Sequence, residues 1–174
     1  MVEKNEMRKG EVAVEMPAIV DANLTFIGRI ETPWSSRLLC PRQGRLDGPR
    51  CTITLFDPWI AALDGIGEFE RLEVLYWLHL SRRDLVRQSP ADDGLTRGTF
   101  ALRSPVRPNP IASALVKLVA IDGSNLIVQG LDCVDGTPLL DIKPDRCQFT
   151  PSARPQPGDF ETAESLGDRP KGQG

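Results

Sequence analysis

The chain has 174 residues, room for one domain with a sizeable core, and its 15 Pro and 15 Gly favour many short elements over a few long helices. The hydrophobic share is 40%, no apolar run approaches the ~20 residues of a membrane span, and the charged opening stretch MVEKNEMRKGEVAVEM has no secretory core, so a cytoplasmic protein without a membrane partner is expected. The net charge of -3 lies entirely in the ends, because residues 22–150 balance 15 Lys/Arg against 15 Asp/Glu. Within that core the arginines cluster early, from Arg29 to Arg107, which leaves room for an arginine-biased, RNA-binding face despite the acidic pI. Cys40, Cys51, Cys133 and Cys147 are scattered without metal-ligand spacing and read as unpaired thiols. A single histidine, His79, excludes a His-rich metal site, and no metal is expected.

In chain order, residues 1–21 are polar and weakly patterned and read as a flexible extension. Strand patterns follow at Leu24–Ile30 and Cys51–Phe56, bounded by Pro, Gly and Asp. A short helix is predicted around Trp59 to Gly65, after Asp57-Pro58. Arg71–Leu80 is apolar on both alternating faces and predicts a strand buried on two sides, with His79 on the face of Trp77 and Leu75. Gly98–Arg103 is a further strand candidate. The clearest signal is LVKLVAI-DGSN-LIVQGLD, two apolar runs around turn-forming residues that tolerate positive φ, which predicts a hairpin. Leu139–Ile142 closes the set after the turn Asp135-Gly136-Thr137-Pro138. The pattern predicts a mainly all-β domain, a compact β-barrel-like unit over residues 22–150, with a disordered Pro/Gly-rich tail at 151–174. No strand–GxGxxG–helix turn occurs, so a Rossmann-type cofactor site has no support.

Three stretches are too constrained for ordinary loops. Pro41-Arg42-Gln43 follows a loop rich in Ser and Leu. Arg103-Ser-Pro-Val-Arg-Pro-Asn-Pro-Ile111 is held extended by three prolines, and Asn109, between two of them, presents its amide in a fixed direction. Leu131 to Pro144 places Asp132, Asp135 and Asp141 within ten residues. Each carboxylate also has a plain structural reading, Asp135 in a turn and Asp141 in an ion pair with Lys143 or Arg146.

IGRIETPW, PRQ, RGTFALRSPVRPNPI and LDCVDGTPLLDIKP, in this order across about residues 24–145, resemble the TsaA-like family, which includes the TrmO tRNA methyltransferases. The resemblance implies a β-barrel cofactor domain, S-adenosyl-L-methionine as methyl donor, and a homodimer whose subunits share the site. It also implies tRNA as partner, with methylation of threonylcarbamoyladenosine beside the anticodon on its exocyclic nitrogen. Carried over motif by motif, the cofactor contacts are Pro41, Arg42, Gln43, His79, Leu80, Arg103, Ser113, Gly130, Leu131 and Asp132. The residue types suit such a ligand. Arg42 or Arg103 would hold its carboxylate, backbone near Gly130 to Asp132 would read adenine and ammonium, and Leu80 and Leu131 would supply apolar walls.

Methyl transfer to a nitrogen is an in-line displacement at an already electrophilic carbon, so positioning and water exclusion are the main demands. The acceptor must still lose a proton, and Asp132, Asp135 and Asp141 are the candidates to take it, with Asn109 a candidate to orient the acceptor. Two departures from the family pattern stand out. Ala112 replaces the glycine that normally follows RPNPI, and a Pro/Gly-rich tail stands where longer members have a second folded region. A different RNA or small-molecule acceptor, or a non-enzymatic cofactor-binding module, are the alternatives that these departures leave open.

Overall fold

The computed structural model describes residues 7–16 and 22–146. Its centre is a closed barrel of six antiparallel strands, β2 (Gly28–Glu31), β3 (Arg50–Leu55), β4 (Arg71–Trp77), β7 (Ile111–Asp122), β8 (Asn125–Gln129) and β9 (Thr137–Pro144), in the order β2-β3-β8-β7-β4-β9. Closure comes from β2 pairing with β9, Gly28 opposite Leu139 and Ile30 opposite Thr137. Gly28 is required there, since a Cβ would lie 2.3 Å from the Thr54 carbonyl oxygen.

Period-2 alternation explains the interior. Leu72, Val74 and Tyr76 of β4 point inward with Val116, Leu126 and Val128, and all are buried. Each such side chain contributes about 1.5–3 kcal/mol by leaving water. The expectation that β4 is buried on both faces is corrected: Arg71, Glu73, Leu75 and Trp77 face out and are half-buried, because the barrel has one interior. The strand also stops at Trp77, three residues earlier than its apolar run. At the lower rim Asp145, buried, pairs with Arg71 at 2.9 Å.

The predicted hairpin is β7–β8, with Asp122 opposite Asn125 and a two-residue Gly123-Ser124 turn whose glycine sits at φ +56°. β7 begins at Ile111, directly after the proline-rich stretch. The predicted helix is a 3-10 turn at Trp59–Leu63, followed by a second at Ile66–Glu68. In place of a strand over Gly98–Arg103, the chain forms a two-residue strand, β6 (Arg97–Gly98), and then a 3-10 turn, Thr99–Ala101.

That turn belongs to an excursion, residues 78–110, between β4 and β7. Its strand β5 (Leu85–Gln88), missed by the sequence reading, pairs with β6 and with β1 (Val12–Ala13) in a separate three-stranded sheet. The amino-terminal stretch is therefore tied down in part. Arg8 donates to the Ser89 and Pro90 carbonyls at 2.9 and 3.1 Å, and Glu11 accepts from the Ser89 amide at 3.1 Å. Residues 1–6 and 17–21 of the expected extension, Cys147, and the tail 151–174 lie outside the described residues. The three described cysteines are free thiols. Among the described residues no helix is long and apolar enough to cross a membrane.

Candidate functional site

The Pro41-Arg42-Gln43 loop is locked onto the end of β8. Gly44, next in sequence, lies so close to Gly130 that a Cβ on it would fall 1.7 Å from the Gly130 carbonyl oxygen. Its amide donates to Asp132 Oδ2 at 3.3 Å, and the Tyr76 hydroxyl donates to Asp132 Oδ1 at 2.6 Å from inside the barrel. Asp132 thus latches the loop to β4 and β8. Burial, then the Asp132 charge, pushes the Tyr76 phenol far above its usual range and keeps it a donor. The same two causes, burial first, raise the nearby Cys40 thiol. Gly130 itself sits at φ +120°, and a Cβ there would meet the Leu115 carbonyl oxygen at 2.7 Å. The strand end therefore passes close against β7.

The latch leaves Pro41, Arg42 and Gln43 exposed, with no hydrogen bond or ion pair among the described residues committing the Arg42 guanidinium. Leu131 is buried in the barrel core, so its side chain packs inside and cannot wall a ligand as expected from sequence; only its backbone is available.

A second group gathers at the other end of the same edge. β7 pairs with β4 from Ile111 to Lys117 but with β8 only from Lys117 onward, so residues 111–116 have an unpaired side among the described residues. The prolines feed straight into this stretch: the Leu78 amide donates to the Pro110 carbonyl at 2.9 Å and the Ile111 amide to the Asn109 carbonyl at 2.8 Å. Arg83, which sequence reasoning passed over, clamps the loop. Its Nε donates to the Pro108 carbonyl at 2.6 Å, its Nη2 to Asn109 Oδ1 at 3.4 Å, and its guanidinium lies 5.4 Å from the Trp77 ring centroid. Gln88, buried, donates to the Val106 carbonyl and to Thr99 Oγ1, both at 2.8 Å, pinning the loop from below.

His79 and Leu80 follow the end of β4 and are exposed, so the expected place of His79 on the strand face of Trp77 and Leu75 is corrected: the strand ends before it. Arg103 is exposed, and its side chain has no hydrogen bond or ion pair among the described residues. Ser113 faces outward on β7 and donates to Glu73 Oε1 at 2.6 Å. Ala112, opposite Tyr76, packs its methyl against the core, away from the outer face.

The three carboxylates do not converge. Asp135 accepts from the Thr32 amide at 3.0 Å and its own amide donates to the Trp34 carbonyl, a turn role. Asp141 pairs with Lys143 and accepts from the Ile142 amide at 2.9 Å. Asp132 is held as described. No cluster of three potential metal ligands occurs among the described residues. Tyr76, Gly44 and Gln88 also escaped the sequence reading. The signal for Tyr76 was a polar-tipped aromatic in an otherwise apolar strand, and for Gly44 a glycine directly after PRQ.

A closed antiparallel barrel, with two braced loops beside the unpaired side of residues 111–116, carries arginines uncommitted among the described residues and is suited to an anionic or zwitterionic ligand. The chain belongs to the TrmO_N family, the tRNA-methyltransferase O N-terminal domain, which it matches over residues 29–149. It is 53% identical, over 88% of its length and 87% of the relative's, to a probable S-adenosyl-L-methionine-binding protein, VirR, of Rhizobium radiobacter. It is 34% identical to the mouse tRNA (adenine(37)-N6)-methyltransferase over 74% of its own length and 32% of the mouse chain. The crystal structure of TrmO from Pseudomonas aeruginosa superposes with a TM-score of 0.62 at 29% identity, covering 81% of this chain and 62% of that one. The chain therefore spans less than two thirds of that solved protein and about a third of the mouse enzyme.

Proposed function

We propose that the protein is an S-adenosyl-L-methionine-dependent methyltransferase acting on tRNA, and that its acceptor is the exocyclic nitrogen of threonylcarbamoyladenosine beside the anticodon. The observation that carries this reading is the Asp132 latch, which presents Arg42 on a fixed loop beside the open edge of β7. The donor set fits such a cofactor. Arg42 and Arg103 supply uncommitted guanidinium groups for a carboxylate, Gln43, His79 and Ser113 supply polar groups, and the backbone at Gly130 to Asp132 supplies donors and acceptors. Leu80 remains the apolar wall. When bound, S-adenosyl-L-methionine supplies an electrophilic methyl carbon. The chain's own task is to orient and desolvate the reacting groups.

Asp132 serves as a latch in this reading, since both its oxygens are engaged. Asn109, fixed by Arg83 and two prolines, is the residue placed to orient the acceptor. A homodimer completes the site: Leu38, Leu39, Ile111 and Leu115 are exposed apolar residues on the loop and strand that frame it. A cytoplasmic location accords with an RNA substrate.

Two measurements test the reading. Isothermal titration should show S-adenosyl-L-methionine binding that Arg42→Ala weakens by about 1.5–3 kcal/mol, the usual strength of a hydrogen bond to a charged group. Nucleoside mass spectrometry of tRNA from a deletion strain should show methylated threonylcarbamoyladenosine lost. Cofactor binding with unchanged tRNA nucleosides would transfer the activity to another acceptor.

A further inference from the structure

The excursion between β4 and β7 carries more positive charge than the site uses. It holds Arg82, Arg83, Arg87, Arg97, Arg103 and Arg107 against Asp84, Asp92 and Asp93. Only Arg82 has a carboxylate among its hydrogen-bond partners, Asp84 at 2.7 Å. Arg87 donates to Thr96 Oγ1 at 2.9 Å and Arg107 to main-chain carbonyls, so neither meets a carboxylate among the described residues, and the exposed Arg97 side chain has no hydrogen bond or ion pair among them.

Directly after Arg97 and Gly98 comes the 3-10 turn Thr99–Ala101, and on it Phe100 is 80% exposed. The backbone beneath the ring is anchored. Thr99 is buried, donates to the Leu85 carbonyl at 2.7 Å and accepts from Gln88 at 2.8 Å, and the Leu102 amide closes the turn onto the Thr99 carbonyl at 3.2 Å. Register places Arg87 opposite Gly98 and Gln88 opposite Arg97, so the two arginines leave opposite faces of the pair, Arg87 toward Thr96 and Arg97 on the strand that runs into the turn, three residues before the ring. A solvent-facing phenyl on an anchored turn, following an arginine on the same short stretch, is suited to stack an unpaired base and hold a flanking phosphate. A protein partner would find little carboxylate here with which to pair, whereas a polyanion meets complementary charge.

We infer that Phe100, with Arg97, is a docking platform for an unpaired nucleotide of the RNA substrate. The inference rests on the RNA reading above and extends it to a contact that the family motifs do not assign here. The platform reads single-stranded loop character by stacking, and is tolerant of base identity.

The test uses the full chain and a synthetic RNA hairpin with an unpaired loop, with affinity read by fluorescence anisotropy at several salt concentrations. S-adenosyl-L-methionine titrations run in parallel. Phe100→Ala should weaken hairpin binding about tenfold and leave cofactor affinity unchanged, and Phe100→Trp should restore it. Arg97→Ala should reduce the slope of log affinity against log salt by about 0.7, the share of one single-strand phosphate contact. Because both side chains are exposed, neither change threatens folding, which a melting curve verifies. If Phe100→Ala binds the hairpin as the unaltered chain does, or acts only on cofactor affinity or on oligomeric state, the platform is overturned while the RNA reading stands. If the unaltered chain itself ignores the hairpin, the RNA reading fails and takes the platform with it.

Discussion

At Gly44 a single methyl group decides whether the loop can dock. Gly44→Ala would drive Cβ into the Gly130 carbonyl, and because the obstacle is backbone the loop itself must lift. The expected result is a loss of about 1–3 kcal/mol of stability in urea denaturation, the usual cost of forced overpacking, with weaker cofactor binding as Arg42 loses its fixed position. Tyr76→Phe removes one partner from the Asp132 carboxylate and should cost about 1.5–3 kcal/mol by the same measurement, since the hydrogen bond is to a charged group. The buried thiols make a prediction about pH. Burial pushes Cys51 up to about 11, and burial chiefly pushes Cys133 up to about 12, while a thiol in an unfolded chain ionises near about 8.5. As pH rises, the unfolded chain releases these protons first, so stability is complete below about pH 8.5 and falls from there toward pH 11. The decline is on the order of 1 kcal/mol per pH unit for each thiol. Cys133→Ala should make the decline shallower, read from urea midpoints between about pH 8 and pH 10.

Strands announce themselves where alternation coincides with a turn. The β7–β8 hairpin was legible because Gly123 supplies the positive φ that a two-residue connection needs, and the barrel class followed from many short strands. β5 was not legible: Leu85–Gln88 holds one fully apolar inward residue, and its inward glutamine is satisfied by Thr99 and Val106, partners distant in sequence. The end of β4 was misread for the opposite reason, because apolar residues continue past Trp77 although Pro110 takes over pairing with Leu78. Of the site, the rigid loops could be read from their prolines, whereas their clamps, Arg83 and Asp132 with Tyr76, exist only once strands are brought together. Gln88→Ala should therefore cost about 1–3 kcal/mol by stranding the Val106 carbonyl and the Thr99 hydroxyl. It should also loosen the 103–110 loop, seen as faster amide exchange at Val106. Removing residues 1–16 should accelerate exchange at the β5 amides that β1 now covers and leave β8 unaffected.

Across the whole molecule, the proposed site lies beside residues 111–116, which lack a β8 partner among the described residues. Each barrel strand is hydrogen-bonded to two neighbours over part of its length, and closure leaves few edges for unwanted pairing. The closing seam also joins the second strand of the chain to its ninth, Arg29 opposite Pro138. Contacts of that sequence separation form late, because the loop entropy must be met before they give anything back. During synthesis a ribosome that has emitted residues only as far as the β7–β8 hairpin would therefore carry an unrolled sheet with Ile30 and Ile53 open to water. Chaperone occupancy of such a nascent chain should persist until β9 emerges and then drop abruptly, so that a chain tethered with Thr137 still inside the exit tunnel prolongs it and one tethered with Asp145 clear of the tunnel does not.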